Sequence, residues 1–252
     1  MSSCLIIGAG PGLGLALARR FGRGGLRLGL VSRNRDGLDA LLADLETSGQ
    51  PAVAETADAG DPEGLRAAID ALQARLGPAG VLIYNAAVLR PEMPTALDPH
   101  RLCEEFKVNV QGALVSAQAV IPAMRAGGGG TILFTGGGLA LEPYPTYSSL
   151  ALGKAALRNL AFSLHKELAA DGIHVAVVAV CGIIEPGGPF DPDVIAEHYW
   201  RLHKAPHGTE DRELIYQPPG SDPYYNDPDR RYASVTLPPH HVATDPQGGK
   251  CP

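Results

Sequence analysis

Short apolar runs alternate along this chain with longer amphipathic stretches, and that alternation leaves few folds open to it. Residues 4–7, 26–31, 52–56, 81–84, 131–135 and 173–180 read as strands, with 214–216 as a last one. Residues 13–21, 36–45, 62–76, 100–125, 147–170 and 191–203 carry apolar side chains at helical spacing. Asp61 followed by Pro62 is a start signal for the third helix, as N-cap and first helical residue. The stretch at 100–125 is expected to be interrupted near Pro122. Strands that alternate with helices of this length imply right-handed βαβ crossovers and a parallel sheet covered on both faces. The expected fold class is therefore α/β: one Rossmann-type, doubly wound domain over residues 1–216, with a central parallel sheet of about seven strands. Residues 217–252 are rich in Pro, Asp, Tyr and His without periodicity and read as an irregular C-terminal tail. Tyr224, Tyr225 and Tyr232 keep open a second reading, an arm that wraps a neighbouring subunit.

Charge and cysteine usage exclude several classes. The formal net charge is −6, and basic residues form no long run beyond short clusters such as Arg33-Asn34-Arg35 and Arg230-Arg231, so no nucleic-acid partner is expected. Cys4, Cys103, Cys181 and Cys251 have no CxxC spacing, so neither a metal site nor a disulfide framework is expected, and the compartment is taken as reduced and cytoplasmic. Leu5-Ile6-Ile7 is cut short by Gly8 and reads as a buried strand, not as a signal peptide or membrane span.

The first strand runs into Gly8-Ala9-Gly10-Pro11-Gly12-Leu13-Gly14, and a helix follows. Glycines there let the backbone turn tightly and approach a pyrophosphate, while the helix N-terminus supplies N–H donors and a positive dipole. At the end of the second strand, NAD-selective sites place an acid against the ribose. This chain has Ser32 and then Arg33, a small residue and a planar cationic fork suited to a 2′-phosphate, with Asn34 and Arg35 able to assist. NADP(H) is accordingly expected over NAD(H).

Over residues 4–216 the chain resembles the short-chain dehydrogenase/reductase family. The family's glycine motif matches Gly8, Gly12 and Gly14; its adenine-side aspartate matches Asp58, with Ala59 beside it; its Asn-Ala-Gly motif appears as Asn85-Ala86-Ala87. Its fourth-helix asparagine matches Asn109 and its lysine Lys154. The resemblance implies that Lys154 holds the nicotinamide ribose and that Gly182 and Ile184 meet the nicotinamide side. It also implies that a tyrosine four residues before the lysine, and a serine about thirteen before that tyrosine, handle the substrate oxygen. Those positions hold Leu150 and Gly137, and the usual proline before Gly182 is Cys181. The chain therefore reads as a divergent member, without the tyrosine and serine.

Tyr147, one turn before Leu150, is the candidate replacement acid beside Lys154 and Asn109; Tyr144, Glu142, Thr135 and Ser148 are nearby, Ser148 also as a helix cap. Val88, Leu139, Leu150, Tyr199 and Trp200 are the expected substrate pocket, with Leu89 and Ile184 near it, so the substrate is expected to be a hydrophobic small molecule. Two functional readings follow. One is an NADP(H)-dependent oxidoreductase with a non-standard proton path. The other is a non-redox protein on the same fold, a cyclase, isomerase or dehydratase or an NADP(H)-sensing module. Apolar faces at Phe106, Val110 and Leu114, and at Leu157, Leu160, Phe162 and Leu164, point to a homodimer or homotetramer, because the family pairs these helices across subunits.

Overall fold

A computed structural model describes residues 2–206, 211–219 and 221. Its seven strands are β1 (Ser3–Ile7), β2 (Arg27–Ser32), β3 (Ala52–Thr56), β4 (Ala79–Tyr84), β5 (Gly130–Thr135), β6 (Ile173–Val180) and β7 (Glu213–Tyr216). All pair in parallel, in the order β3-β2-β1-β4-β5-β6-β7. The helices are α1 (Leu13–Arg23), α2 (Arg35–Thr47), α3 (Pro62–Leu76), α4 (Pro99–Phe106), α5 (Gly112–Ala126), α6 (Ser148–Leu168) and α7 (Pro192–Lys204). The expected fold class is met, strand number included. The tail at 217–252 lies almost wholly outside the described residues.

Period-two alternation sorts the strand side chains into two cores. Leu5, Ile7, Leu82, Tyr84, Ile132 and Phe134 face one side, where α3, α5 and α6 cover them. Cys4, Ile6, Val81, Ile83 and Leu133 face the other, under α1, α2 and α7. Both faces of the sheet are thus buried, as a parallel sheet requires. The strand order reverses between β1 and β4, and a crevice opens beyond their C-terminal ends.

Local signals explain most element boundaries. Asp61 caps α3 by accepting from the Glu63 N–H at 3.2 Å. Two expectations differ. The break in the 100–125 stretch is a π-turn at Lys107–Gln111, and Pro122 sits inside α5. The cause is tertiary: the Tyr84 hydroxyl donates to the Val108 carbonyl, and Asn109 Oδ1 accepts from the Val88 N–H at 2.8 Å. The first engages a backbone carbonyl of the turn from outside the helix, and the second fixes the Asn109 side chain there. Ser148 does not cap α6 either. Tyr147 occupies the N-cap position, and Ser148 Oγ donates to the Glu92 carbonyl at 2.8 Å.

Candidate active site

The glycine turn is fixed by what surrounds each glycine. Gly8 has φ +84°, and a Cβ there would collide with the Ala86 backbone. The N–H groups of Gly8 and Ala9 both donate to the Val31 carbonyl at 2.9 Å, and Asn85 Nδ2 donates to the Gly8 carbonyl at 3.0 Å. A Cβ on Gly14 would come within 2.9 Å of Ala9 Cα, so glycine lets α1 lie close against the strand end. Gly10 and Gly12 differ: nothing lies within 4 Å of a Cβ at either. Both face open space at a helix start with no acid in its first turn, where free N–H groups favour an anion.

Beside this turn lies a cavity of about 190 Å³. Gly8, Ser32, Arg33, Ala59, Asn85, Ala86 and Ala87, all expected at a cofactor site, line it. Pro11 is exposed beside it, whereas the Leu13 side chain is buried, which leaves Leu13 only its backbone to offer a ligand. Asn34 is engaged elsewhere: its Oδ1 caps α2 by accepting from the Gly37 N–H at 3.0 Å. Asp58 Oδ1 accepts from the Gly60 N–H at 2.8 Å, while its Oδ2 is 3.9 Å from Arg33. A neighbouring cavity of about 510 Å³ shares Arg33, Ala87 and Val108 and extends along Val88 and Leu89 toward α4.

Lys154 projects from α6 to the end of β5, where its Nζ donates to the Thr135 carbonyl at 2.6 Å. It is 7 % exposed, and burial draws its ammonium down to about 8. Thr135 is a hub that sequence reading noted only as a nearby hydroxyl. Its Oγ1 donates to Asn85 Oδ1 at 2.9 Å and accepts from the Tyr199 hydroxyl at 2.8 Å. The available signal was its place, the last residue of a central strand at the crevice. Asn109 is buried in the π-turn, its Cβ tight against Gly153, and its Nδ2 has no hydrogen-bond partner. Leu150, 5 % exposed, forms an apolar cluster with Leu139 and Ala151, on which Tyr144 and Tyr147 pack. Tyr147 and Leu150 therefore do come together. At Gly137 a Cβ would meet its nearest atom, Lys154 Cγ, at 3.8 Å, so the site has room for a side chain.

Two expected residues take other roles. Trp200 packs on α1, edge-on to Phe21 at 5.3 Å, with the Arg20 guanidinium 4.2 Å above its ring. A Cβ on Gly24 would collide with that indole. Trp200 thus belongs to the α1–α7 seam and not to a substrate pocket. Tyr199 is fully buried and lines no surface open to substrate. Both corrections come from the phase of α7: its core face carries Ile195, Ala196, Tyr199 and Leu202, which turns position 200 toward α1. Gly182 lies under the Phe190 ring, so its lack of a side chain seats a core aromatic, and Ile184 packs half-buried beside it in the same core.

Comparison with known proteins gives a consistent result. Residues 2–187 match the family described as short chain dehydrogenase. A 2,3-dihydro-2,3-dihydroxybenzoate dehydrogenase of Bacillus subtilis is 31% identical over 209 residues, covering 81% of this chain and 74% of that protein. A 1-cyclohexenylcarbonyl-CoA reductase of Streptomyces collinus is 30% identical over 203 residues, 80% of this chain and 69% of that protein. A short-chain dehydrogenase from Rhodopseudomonas palustris superposes with a TM-score of 0.78 at 27% identity, covering 86% of this chain and 98% of that one. A metagenomic short-chain oxidoreductase solved in complex with NADP superposes with a TM-score of 0.79 at 25% identity, covering 86% of this chain and 97% of that one. The fold, the glycine turn and these similarities agree: the chain belongs to the short-chain dehydrogenase family.

Proposed function

We propose that this protein is an NADP(H)-dependent oxidoreductase that acts on a hydrophobic small molecule without a proton donor at position 150. The observation that carries the reading is the cavity at the β1–β4 crevice, lined by Gly8 and Ala9 of the glycine turn and by Ser32 and Arg33 at the end of β2. The residues present fit the cofactor. The backbone of the Gly8–Gly14 turn takes the pyrophosphate, Ser32 and Arg33 the 2′-phosphate, and Asp58 to Ala59 with Asn85 to Ala87 the adenosine. Lys154 takes the ribose, and the backbone of Gly182 and Ile184 the nicotinamide side. NADP binding by a family member of the same fold supports the assignment. When bound, the cofactor supplies or accepts hydride.

The chain's own groups set the rest. Leu150 presents hydrocarbon where the family places a hydroxyl acid, and with Leu139 beside it excludes water and holds the substrate by apolar contact. Tyr147, at the start of the same helix and packed in the same cluster, is the candidate proton donor, and Asn109 and Lys154 are the other candidate catalytic residues. The substrate pocket is built from Val88, Leu139 and Leu150. Self-association uses the outer sides of α4 and α6, where Phe106 and Leu152 are exposed; Leu157 and Leu164 belong to the core. A reduced, cytoplasmic compartment suits the free thiols Cys4, Cys103 and Cys181.

A second reading, a non-redox mould or an NADP(H)-sensing module, is favoured by the joint lack of hydroxyls at Gly137 and Leu150. One experiment separates them: titrate NADPH and NADP+, then follow NADPH oxidation across hydrophobic carbonyls and enones. Stereospecific hydride transfer to any of them establishes the first reading. Turnover that is indifferent to the cofactor's redox state establishes the mould, and binding with no turnover the module.

A further inference from the structure

We propose that Tyr199 is a positioning residue for the cofactor cleft, acting through Thr135 on Lys154 and Asn85. The proposal rests on the cofactor reading above. Four hydrogen bonds carry it. The Tyr199 hydroxyl donates to Thr135 Oγ1 at 2.8 Å, and Thr135 Oγ1 donates to Asn85 Oδ1 at 2.9 Å. Asn85 Nδ2 donates to the Gly8 carbonyl at 3.0 Å, and Lys154 Nζ donates to the Thr135 carbonyl at 2.6 Å. A single chain of polar contacts thus runs from α7, across the ends of β5 and β4, into the glycine turn after β1.

The directions of these bonds are consistent. A threonine hydroxyl has one proton, and Thr135 gives it to Asn85. Its lone pair must then be met by a donor, and in a site this buried the Tyr199 hydroxyl is the donor present. Tyr199 is 0 % exposed, and burial raises its hydroxyl well above the ordinary tyrosine range, so it stays protonated and donates at every working pH. Held from both sides, the Thr135 side chain keeps one rotamer and anchors the end of β5, where the residue's backbone carbonyl accepts from Lys154. Asn85, held the same way, keeps its amide on the Gly8 carbonyl, where the turn must stay open.

The other side of α7 reaches the same site by a second route. Arg20 of α1 pairs with Glu197 at 2.7 Å, and Trp200 seats against Gly24. Helix α7 therefore touches the cleft through Thr135 and also through α1, whose N-terminus is the glycine turn.

The test is Tyr199→Phe, which keeps the ring and removes only the hydroxyl, beside Thr135→Val and the double variant. Three readouts are taken on the full chain: thermal midpoint, NADPH affinity by calorimetry, and the titration of Lys154 in the protein alone by NMR of ¹³C-labelled lysine. Tyr199→Phe is expected to weaken NADPH by about tenfold, more than its change in thermal midpoint explains. The double variant is expected to be no weaker than Thr135→Val alone, because both changes cut one chain. The Lys154 midpoint should fall below the wild-type value, because the backbone carbonyl of residue 135 that accepts from its charged form is held less firmly. A lowered thermal midpoint with unchanged affinity and unchanged Lys154 titration assigns Tyr199 to packing alone and overturns the proposal. If wild-type protein binds neither NADPH nor NADH, the cofactor reading is what fails. The Lys154 titration then decides the positioning role alone: a shift in Tyr199→Phe sustains it and no shift overturns it.

Discussion

Arg33 and Asp58 face each other at the rim of the cleft, their charged groups 3.9 Å apart and both more than a third exposed. A pair this long and this wet contributes little to stability. Arg33 is therefore free to meet a stronger anion, and a 2′-phosphate offers a bidentate one. Arg33→Ala should weaken NADPH by about tenfold or more while changing NADH by about twofold at most. Calorimetric titration of both dinucleotides checks this; equal weakening of the two would remove Arg33 from cofactor choice.

The glycine turn separates folding from binding. Gly8→Ala places a Cβ into the Ala86 backbone at a positive φ, so it should cost about 1–3 kcal/mol of stability. Gly10→Ala meets nothing within the protein, so its thermal midpoint should match wild type. The added methyl instead occupies that open space, and NADPH affinity should fall by about tenfold or more. A Gly10→Ala protein that binds NADPH normally would show that the phosphates lie elsewhere.

Gly137 has space for a serine, and Leu150 stands one helical turn before Lys154. The double change Gly137→Ser with Leu150→Tyr supplies a hydroxyl at each of the two positions. It should create measurable NADPH-dependent reduction of hydrophobic ketones, read by absorbance at the nicotinamide band. A double variant that binds NADPH normally yet stays inert would mean that the pocket itself is wrong for hydride transfer.

Burial lowers Lys154 from 10.5 to about 8 in the folded chain. The unfolded chain therefore binds the proton more tightly between those values, and linkage requires stability to rise with pH there. The cost of burying the charge is fully present below about pH 8, disappears as pH rises to about 10.5, and amounts to roughly 3 kcal/mol. Buried Cys4 and Tyr84, whose acid forms are favoured by burial, work in the opposite sense at high pH. The difference between wild type and Lys154→Met isolates the lysine. The methionine variant should be the more stable at pH 7, with the gap closing toward pH 10.5; a gap that does not change with pH would refute this.

The sheet and its helices were legible in the sequence because their signals are local. Asp61 with Pro62 started α3 where expected, and the run at 173–180 became β6 to the residue. The break in the 100–125 stretch was placed at Pro122, where the local signal is strongest. The actual π-turn is set by Tyr84 and Val88, partners remote in sequence that no window could show. Gly8, Ser32, Arg33 and Asn85, expected around one cofactor, line one cavity because each sits at or just past a strand end that periodicity locates. Tyr199 and Trp200 were not legible in this way. They are adjacent on α7 and point about 100° apart, and only packing decides which one meets the core and which meets α1.

Trp200 is the chain's single tryptophan, held between the Phe21 ring and the Arg20 guanidinium. Among the described residues its emission therefore reports chiefly the seating of α7 on α1. The molecule carries an intrinsic optical gauge on the helix that begins at the glycine turn. Any event that lifts α7 from α1 can be timed by fluorescence without a label.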